Sequence, residues 1–365
     1  MNMSIPLILA NTQRNVAYVI TALVILGYIT YVVFNWLQAR RESGSELELA
    51  ANRKTPPDDE ELEGPRLDRV LGVGLGTLAL ISLALPLYWL GEPSRQAGAE
   101  KNFRRTFIER GRALYEEGAQ CVNCHGPEGK GGVASYALLD DRGKFVAQVN
   151  WKAPALDTVL MRYSREEVRY ILNYGRRNTP MPAWGAPGGG PLTPQQIENI
   201  IDYLESIQLP AEEVRRMVKE QIDAKCAPDE NDRCTKGRYK TLGEFLFNLG
   251  EDDGFQGGAF SCARCHTKGW SYGKPETPGG GFLGPNLTGG ATLRQFESFE
   301  AHMEFITQGA EQGKPYGRGG MSGAGQMPGF GYNPNAEQEG STLEPEQYMY
   351  TADQIEAIVE YERGL

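Results

Sequence analysis

Histidine is scarce in this sequence, with 3 copies in 365 residues. So few imidazoles leave no room for a metal centre made of several histidines. Basic residues are fewer than acidic ones, with 37 Lys and Arg against 47 Asp and Glu, which gives a net charge of -10 at pH 7. This balance argues against nucleic acid and anionic membrane surfaces as partners and favours a basic or mixed-charge one. No glycine-rich nucleotide loop and no catalytic triad stands out.

Cysteine is also sparse, but its placement is informative. Four of the 6 cysteines lie in two Cys-x-x-Cys-His pentapeptides. These pentapeptides contain Cys121, Cys124 and His125, and Cys262, Cys265 and His266. The motif is the attachment signal of haem c, in which two thiols bind the haem covalently and the histidine binds the iron. A structural zinc site would instead need two Cys-x-x-Cys pairs converging on one ion, and a redox dithiol would not need the histidine. The sequence therefore predicts two covalently bound haem c groups.

Further iron ligands and their supports follow each motif at similar places. A proline turn comes first, with Pro154 after the first motif and Pro285 after the second. A backbone carbonyl in such a turn is expected to fix the ring of the proximal histidine. A Met-Pro pair in a loop comes next, with Met181 and Met327 as predicted axial thioether ligands. Met321 is a rival to Met327, because it also lies in a glycine-rich loop.

The third histidine, His302, has no motif around it. With His125 and His266 used as proximal ligands, at most one haem can have two histidine ligands. The surrounding residues favour a helix. We therefore interpret His302 as a satisfied or exposed helical histidine rather than a haem ligand.

Helices are predicted before and after each motif. Thr193 and Thr351 each begin a helix with a capping-box pattern and a following apolar face. Gly111 and Gly243 lie in helical stretches before the two motifs, where a small residue lets a second helix cross closely. The order of helix, motif, proline turn, helix, Met loop and last helix thus occurs twice, as an internal repeat.

This order resembles the class I cytochrome c fold, over residues 103–210 and again over residues 238–365. The resemblance implies a mainly α fold. The predicted domains are a cytochrome c domain over residues 101–210, a linker helix and disulfide loop over 211–237, and a second cytochrome c domain over 238–365.

The first hundred residues are predicted to form a transmembrane hairpin. Residues 16–37 and 70–90 are uncharged and long enough to span a bilayer. A signal peptide would need an early basic region and a shorter apolar stretch than residues 16–37 provide. Arginine and lysine are concentrated between the two spans, in residues 38–69. The positive-inside rule then puts this connector in the cytoplasm and the haem domains on the outer face of a bacterial cell membrane.

The remaining cysteines, Cys226 and Cys234, flank a short polar loop. Outside the cytoplasm two such thiols are expected to form a disulfide bond. A calcium site using Asp229, Asn231 and Asp232 is a weaker alternative, because the EF-hand spacing is absent. No histidine lies near these cysteines, which excludes the dinuclear copper site of an oxidase subunit II.

The N-terminal segments resemble a di-haem c-type cytochrome family of actinobacteria. The resemblance is carried by Asn52-Arg53-Lys54, by residues 58–64, and by residues 85–90 and 92–98. Such proteins are associated with cytochrome b and a Rieske protein. They are similar in role to the di-haem cytochrome c subunit of the bcc quinol:cytochrome c reductase, which carries its anchor at the C-terminus.

The resemblance implies an electron-carrier subunit with no catalytic residues of its own. It would take electrons from a Rieske centre and pass them towards a terminal oxidase. Two alternatives stay open, a di-haem subunit of a C-family haem–copper oxidase and a subunit of alternative complex III. A di-haem peroxidase is disfavoured, because it needs an open iron and both Met-Pro loops argue against one.

Overall fold

The computed structural model describes residues 5–42, 59–140, 142–176, 179–310, 313–322, 327–331 and 349–365. Contacts divide the chain into two compact units, Met1–Pro93 and Ser94–Leu365. The boundary falls at Pro93, the second of two prolines inside one long helix. The predicted domain boundaries at residues 100, 210 and 237 stay predictions.

The first unit is helical. It contains helix α1 (Ile5–Glu42), the short helix α2 (Asp59–Leu62) and the beginning of helix α3 (Pro65–Ala113). Among the described residues, one helical stretch, Leu67–Gly118, is long and apolar enough to cross a membrane. Helix α1 contains a shorter apolar stretch, Ala22–Leu37. Leucine, isoleucine, valine and aromatic side chains are exposed along both stretches.

The apolar part of α3 covers the second predicted span, residues 70–90. The first predicted span, residues 16–37, lies within α1. Most of the predicted cytoplasmic connector, residues 43–58, lies outside the described residues. The two-helix hairpin and its orientation therefore stay predictions.

Helices also dominate the second unit. After the C-terminal part of α3, its elements are α4 (Val122–His125), β1 (Gly132–Leu139), β2 (Phe145–Ala153), α5 (Arg165–Tyr174), α6 (Pro194–Ser206), α7 (Ala211–Lys225), α8 (Leu242–Phe247), α9 (Ala263–His266), α10 (Ala291–Gln295), α11 (Phe299–Gln308), β3 (Pro315–Tyr316), β4 (Met321–Ser322) and α12 (Ala352–Arg363). Helices α4 and α9 carry the two Cys-x-x-Cys-His motifs.

The end of α3 crosses α6 with its backbone close to that helix. A methyl group at Gly111 would lie 1.8 Å from the carbonyl oxygen of Asn199. One turn later, Tyr115 packs on Tyr203 with ring centroids 5.3 Å apart. Both rings are buried. Only glycine allows this approach, as the sequence predicted.

Helix α8 crosses α12 in the same way. A methyl group at Gly243 would lie 1.9 Å from the carbonyl oxygen of Ala357. The rings of Phe247 and Tyr361 lie 5.2 Å apart. The glycine and the aromatic residue four positions later thus have equivalent partners in the two halves of the unit, by which we mean the parts that contain the first motif and the second motif.

The predicted helix caps are confirmed. Thr193 and Thr351 each accept a hydrogen bond from the backbone N–H three residues later, and the glutamine at that position bonds back to the cap residue. A third capping box begins α5 at Ser164. These caps satisfy the first backbone donors of the helices that end each half.

The hairpin of β1 and β2 lies between the first motif and the proline turn, where no strand was predicted. The two strands pair antiparallel, and Asp140 closes the turn by accepting hydrogen bonds from the backbone N–H groups of Arg142 and Lys144. Its inner face carries Trp151, which packs on Tyr272 and Phe282 with ring centroids 5.6 and 5.9 Å away. The turn sequence between the two strands was the available signal for this hairpin.

Helix α7 lies within the predicted linker, residues 211–237. Val214, Val218 and Ile222 form its buried face, and they share one apolar core with α8 and α12. Met217, on the same helix, is half-buried. Helix α7 therefore packs with the second half. Residues 333–347, a polar stretch of the sequence before the last helix, lie outside the described residues.

Candidate functional site

The first motif is held under a proline carbonyl. Helix α4 ends with His125, whose Nδ1 lies 2.8 Å from the carbonyl oxygen of Pro154. A carbonyl only accepts, so this Nδ1 carries the proton and Nε2 keeps its lone pair for a metal. Burial lowers the pKa of His125 to about 4, opposed by the Pro154 bond and assisted by the charges of Arg264 and Arg162. The ring is therefore neutral at physiological pH, as an iron ligand must be.

The second motif has the same geometry. The Nδ1 of His266 lies 2.8 Å from the carbonyl oxygen of Pro285. A methyl group at Gly284 would lie 2.6 Å from Cε1 of this ring, so glycine is required beside it. The two predicted supporting prolines therefore occupy equivalent positions beside the two histidines.

The four motif cysteines take part in no disulfide bond. Burial is the main reason that the pKa of Cys121 rises to about 11 and that of Cys262 rises well above its usual value. A redox dithiol works through a lowered thiol pKa, so these thiols do not fit that alternative. Among the described residues, no group of three or more His, Cys, Asp or Glu side chains converges as a zinc site requires.

The Met181 loop is attached to the end of α5. This helix ends at Gly175, whose φ is +69°, and a methyl group there would lie 2.6 Å from the backbone of Pro182. The next residue, Arg176, donates its backbone N–H to the carbonyl oxygen of Met181 at 3.0 Å. The half-buried Met181 packs against the apolar core of the first half.

The Met327 loop repeats this arrangement at the end of α11. Gly309 ends the helix with φ +80°, and Ala310 donates its backbone N–H to the carbonyl oxygen of Met327 at 2.9 Å. Met327 packs against the core of the second half. Its rival Met321 lies in strand β4 with 54% of its surface exposed. Only Met327 therefore has the backbone setting of Met181.

His302 lies inside α11 and is 2% exposed. Its Nε2 is 3.1 Å from Oε2 of Glu362, and its ring stacks on Phe296 at 4.5 Å. The structure thus gives Nε2 a carboxylate partner inside a helix, whereas Nδ1 is buried with no hydrogen-bond partner among the described residues.

The disulfide bond between Cys226 and Cys234 is present, with a Cα–Cα distance of 4.4 Å. Asp229, one of the residues of the alternative calcium site, already has partners for its carboxylate. Asp229 accepts hydrogen bonds from two backbone N–H groups of the loop and pairs with the guanidinium of Arg233 at 2.8 Å.

The residues around both motifs fit a haem c group. Each site supplies two unpaired thiols, a histidine with its Nδ1 fixed by a carbonyl, and a Met-Pro loop. Buried polar atoms near the first motif also have no partner among the described residues, namely Oδ1 of Asp157 and Nε of Arg162. A bound group with carboxylates would accept a hydrogen bond from the guanidinium of Arg162.

Tertiary packing brings two arginine side chains to the first site that no sequence pattern indicated. Lys152 and Ala155, on either side of Pro154, bind arginine side chains through their carbonyl oxygens. One of these, Arg264, comes from inside the second motif. Its position between two cysteines gave no signal of a contact 112 residues away.

Comparison with known proteins identifies one family in this chain. The family model described as Cytochrome c matches residues 108–208. The match includes the first motif, Pro154 and Met181, so a cytochrome c domain is present there. No curated protein and no solved structure matches the chain. The second motif lies outside the matched residues.

Proposed function

We propose that this chain is a membrane-anchored di-haem cytochrome c that carries electrons as a subunit of a quinol:cytochrome c reductase. A cytochrome c domain at residues 108–208 implies electron transfer by bound haem. The observation that carries the proposal of two haems is the repeated site. In both halves a histidine faces a proline carbonyl, and a glycine-ended helix holds a Met-Pro loop.

The repeat extends beyond the sites to the helices that enclose them. Gly111 and Gly243 lie so close to carbonyl oxygens of the last helix of their halves that an added methyl group would be 1.8 and 1.9 Å away from them. Matching helix crossings and matching sites together support a second cytochrome c domain at residues 238–365, although the family match covers only the first.

Each haem would be held by its own set of residues. Cys121 and Cys124 would attach the first, with His125 and Met181 as the axial ligands of its iron. The equivalent residues for the second would be Cys262, Cys265, His266 and Met327. Bound haem supplies one-electron redox chemistry, and a Met ligand raises its potential. The chain contributes fixed ligand orientation, through the bonds of Pro154 and Pro285, and a largely apolar surrounding.

A carrier role agrees better with these sites than an enzymatic role. Two loops with the same backbone geometry each offer a thioether to an iron, so neither iron would keep a position for substrate. The apolar stretch of α3 would anchor the chain in the membrane. The basic residues between the two predicted spans favour haem domains on the outer face. Fixed haems at that face would connect a Rieske centre to a terminal oxidase.

Haem counting tests the two-haem proposal. The pyridine haemochrome spectrum of the purified chain should give two haem c per polypeptide. Replacing Cys262 and Cys265 together by serine should leave one haem, still bound at the first site. The matched control replaces Cys226 and Cys234 by serine and should keep both. One haem in the unmodified chain would overturn the proposal.

Quinol reduction tests the role. Both haems in detergent-solubilised complex should become reduced when quinol is added, and an inhibitor of the Rieske site should block this. Cytochrome b and a Rieske protein should co-purify with the chain. Co-purification with a haem–copper catalytic subunit alone would favour the oxidase alternative. Rapid binding of carbon monoxide to either reduced haem would indicate an open iron and an enzyme.

A further inference from the structure

Three arginines gather beside the first site, where the two halves of the second unit meet. Arg162 is buried with 5% of its surface exposed, while Arg176 and Arg264 are half-buried. The guanidinium carbons of Arg162 and Arg176 lie 5.6 and 5.1 Å from the ring centroid of Tyr163. One aromatic ring therefore holds two like charges close together, which is unfavourable unless something compensates them.

Arg264 reaches this place from the second motif. Its Nη1 donates hydrogen bonds to the carbonyl oxygen of Lys152 at 3.0 Å and to that of Gly257 at 2.8 Å. Lys152 belongs to the end of strand β2, in the first half. The side chain of a residue between Cys262 and Cys265 is thus bound to the segment that supports the first histidine.

The same short segment, residues 152–155, also binds Arg162. The Nη2 of Arg162 donates to the carbonyl oxygen of Ala155 at 2.9 Å. Between these two arginine-bound carbonyls stands Pro154, whose own carbonyl accepts from His125. Neighbouring carbonyls thus fix the first histidine and two guanidinium groups, one from each half of the unit.

The charges of these arginines are not neutralised by direct ion pairs within the described residues. In the described part of the chain, no aspartate or glutamate makes an ion pair within 4 Å of any of the three guanidinium groups, and the buried Nε of Arg162 has no partner. Asp157 and Glu167 act on Arg162 and Arg176 from a greater distance. Because an uncompensated buried cation is costly, the cluster is arranged for an anion from outside the polypeptide.

We propose that Arg162, Arg176 and Arg264 bind the propionate carboxylates of the haem held by His125, so that a residue of the second motif becomes part of the first haem site. The inference rests on the proposed attachment of haem at the first motif. Haem c carries two carboxylates, and the planar guanidinium group binds carboxylates through paired hydrogen bonds. The two haem sites are then linked through one side chain.

A change in reduction potential distinguishes propionate binding by Arg264 from a purely structural role of this side chain. A positive charge near the iron favours the reduced state, so removing it lowers the reduction potential. Arg264 lies two positions before His266, and any charge there affects the second haem. Because the guanidinium of Arg264 is bound beside the first histidine, its removal should lower the potential of the first haem as well.

Redox titration of the full-length protein in detergent tests the proposal. The potentials are first assigned to sites with Met181→His and Met327→His, each of which should lower one potential strongly. Arg264→Gln should then shift the reduction equilibrium of the first haem about tenfold towards the oxidised form, which is about 59 mV for one electron. Arg264→Lys keeps the charge and should recover most of the shift.

Lys268→Gln is the matched control, because it removes a positive charge two positions after His266 from a side chain that is 57% exposed. It should leave the first haem unchanged. Arg176→Gln tests the cluster independently if Arg264→Gln fails to fold, and it should also lower the first potential. A shift confined to the second haem, or none, in variants that retain two haems would overturn the proposal while leaving the proposed function intact. Fewer than two haems in the unmodified chain would instead contradict the proposed function.

Discussion

Replacing Gly111 by alanine tests the close crossing of α3 and α6. The added methyl group would lie 1.8 Å from the carbonyl oxygen of Asn199 and 2.8 Å from Cβ of Tyr203. Both obstacles are parts of a rigid helix, so α3 and α6 must move apart until the methyl group is at least 3.0 Å from that oxygen. Overpacking of this kind costs about 1–3 kcal/mol and sometimes more.

Alanine also has a compensating advantage at this position. It is favoured over glycine inside a helix by about 1 kcal/mol. The 1.8 Å distance places Gly111→Ala at the upper end of the overpacking range, so the expected net loss is about 2 kcal/mol. In a domain of about 100 residues, each kcal/mol lowers Tm by roughly 4–8 °C. Thermal unfolding of the detergent-solubilised chain, followed by Soret circular dichroism, would measure this loss.

Gly98 provides the control, because it lies in the same helix and a methyl group added there would have no heavy atom within 4 Å. Gly98→Ala should therefore cause no loss of stability. Gly243→Ala should destabilise the second half as Gly111→Ala does the first, since its methyl group would lie 1.9 Å from the carbonyl oxygen of Ala357. If Gly111→Ala is as harmless as Gly98→Ala, the helices do not cross as described and the reasoning is wrong.

Three further outcomes are expected. Met327→Ala should halve the near-infrared band that arises from sulfur bound to ferric haem, whereas Met321→Ala should leave it intact; the opposite result would reassign the second axial ligand. Replacing Cys226 and Cys234 by serine should lower the free energy of unfolding by roughly 2–3 kcal/mol relative to the unmodified protein, as measured by denaturant titration. The unmodified protein with its disulfide bond reduced should match the variant, and equal stability of the variant and the oxidised protein would contradict the prediction. The hydrogen bond from Arg169 lowers the pKa of Glu198 below its usual 4.5, so the stabilisation by this carboxylate is present above pH 4.5 and is lost as the pH falls through the lowered value. Glu198→Gln should therefore have a lower Tm than the unmodified chain at pH 7, and the difference should shrink towards pH 3. A difference in Tm that stays constant across that range would contradict the assignment.

Features set by neighbouring residues were predictable from the sequence. The Cys-x-x-Cys-His motifs place two thiols and an imidazole on one helical turn, whatever surrounds them. The capping boxes at Thr193 and Thr351 depend on side chains three residues apart, and the structure has both. Gly111 and Gly243 were recognisable because only a missing side chain lets two helix backbones approach so closely. Short-range sterics and hydrogen bonding leave such patterns in the sequence itself.

Features that join distant segments were decided by the tertiary structure. Trp151 of the hairpin packs on Tyr272 and Phe282, which follow the second motif in the sequence. Exposed apolar side chains of the hairpin blur the alternation that marks a half-buried strand. Arg264 contacts Lys152, 112 residues earlier. No local pattern encodes these contacts, because burial of one surface against another depends on the shapes of both. The sequence by itself therefore determined which residues carry the chemistry, and packing of the two halves decided which charges lie beside the first histidine.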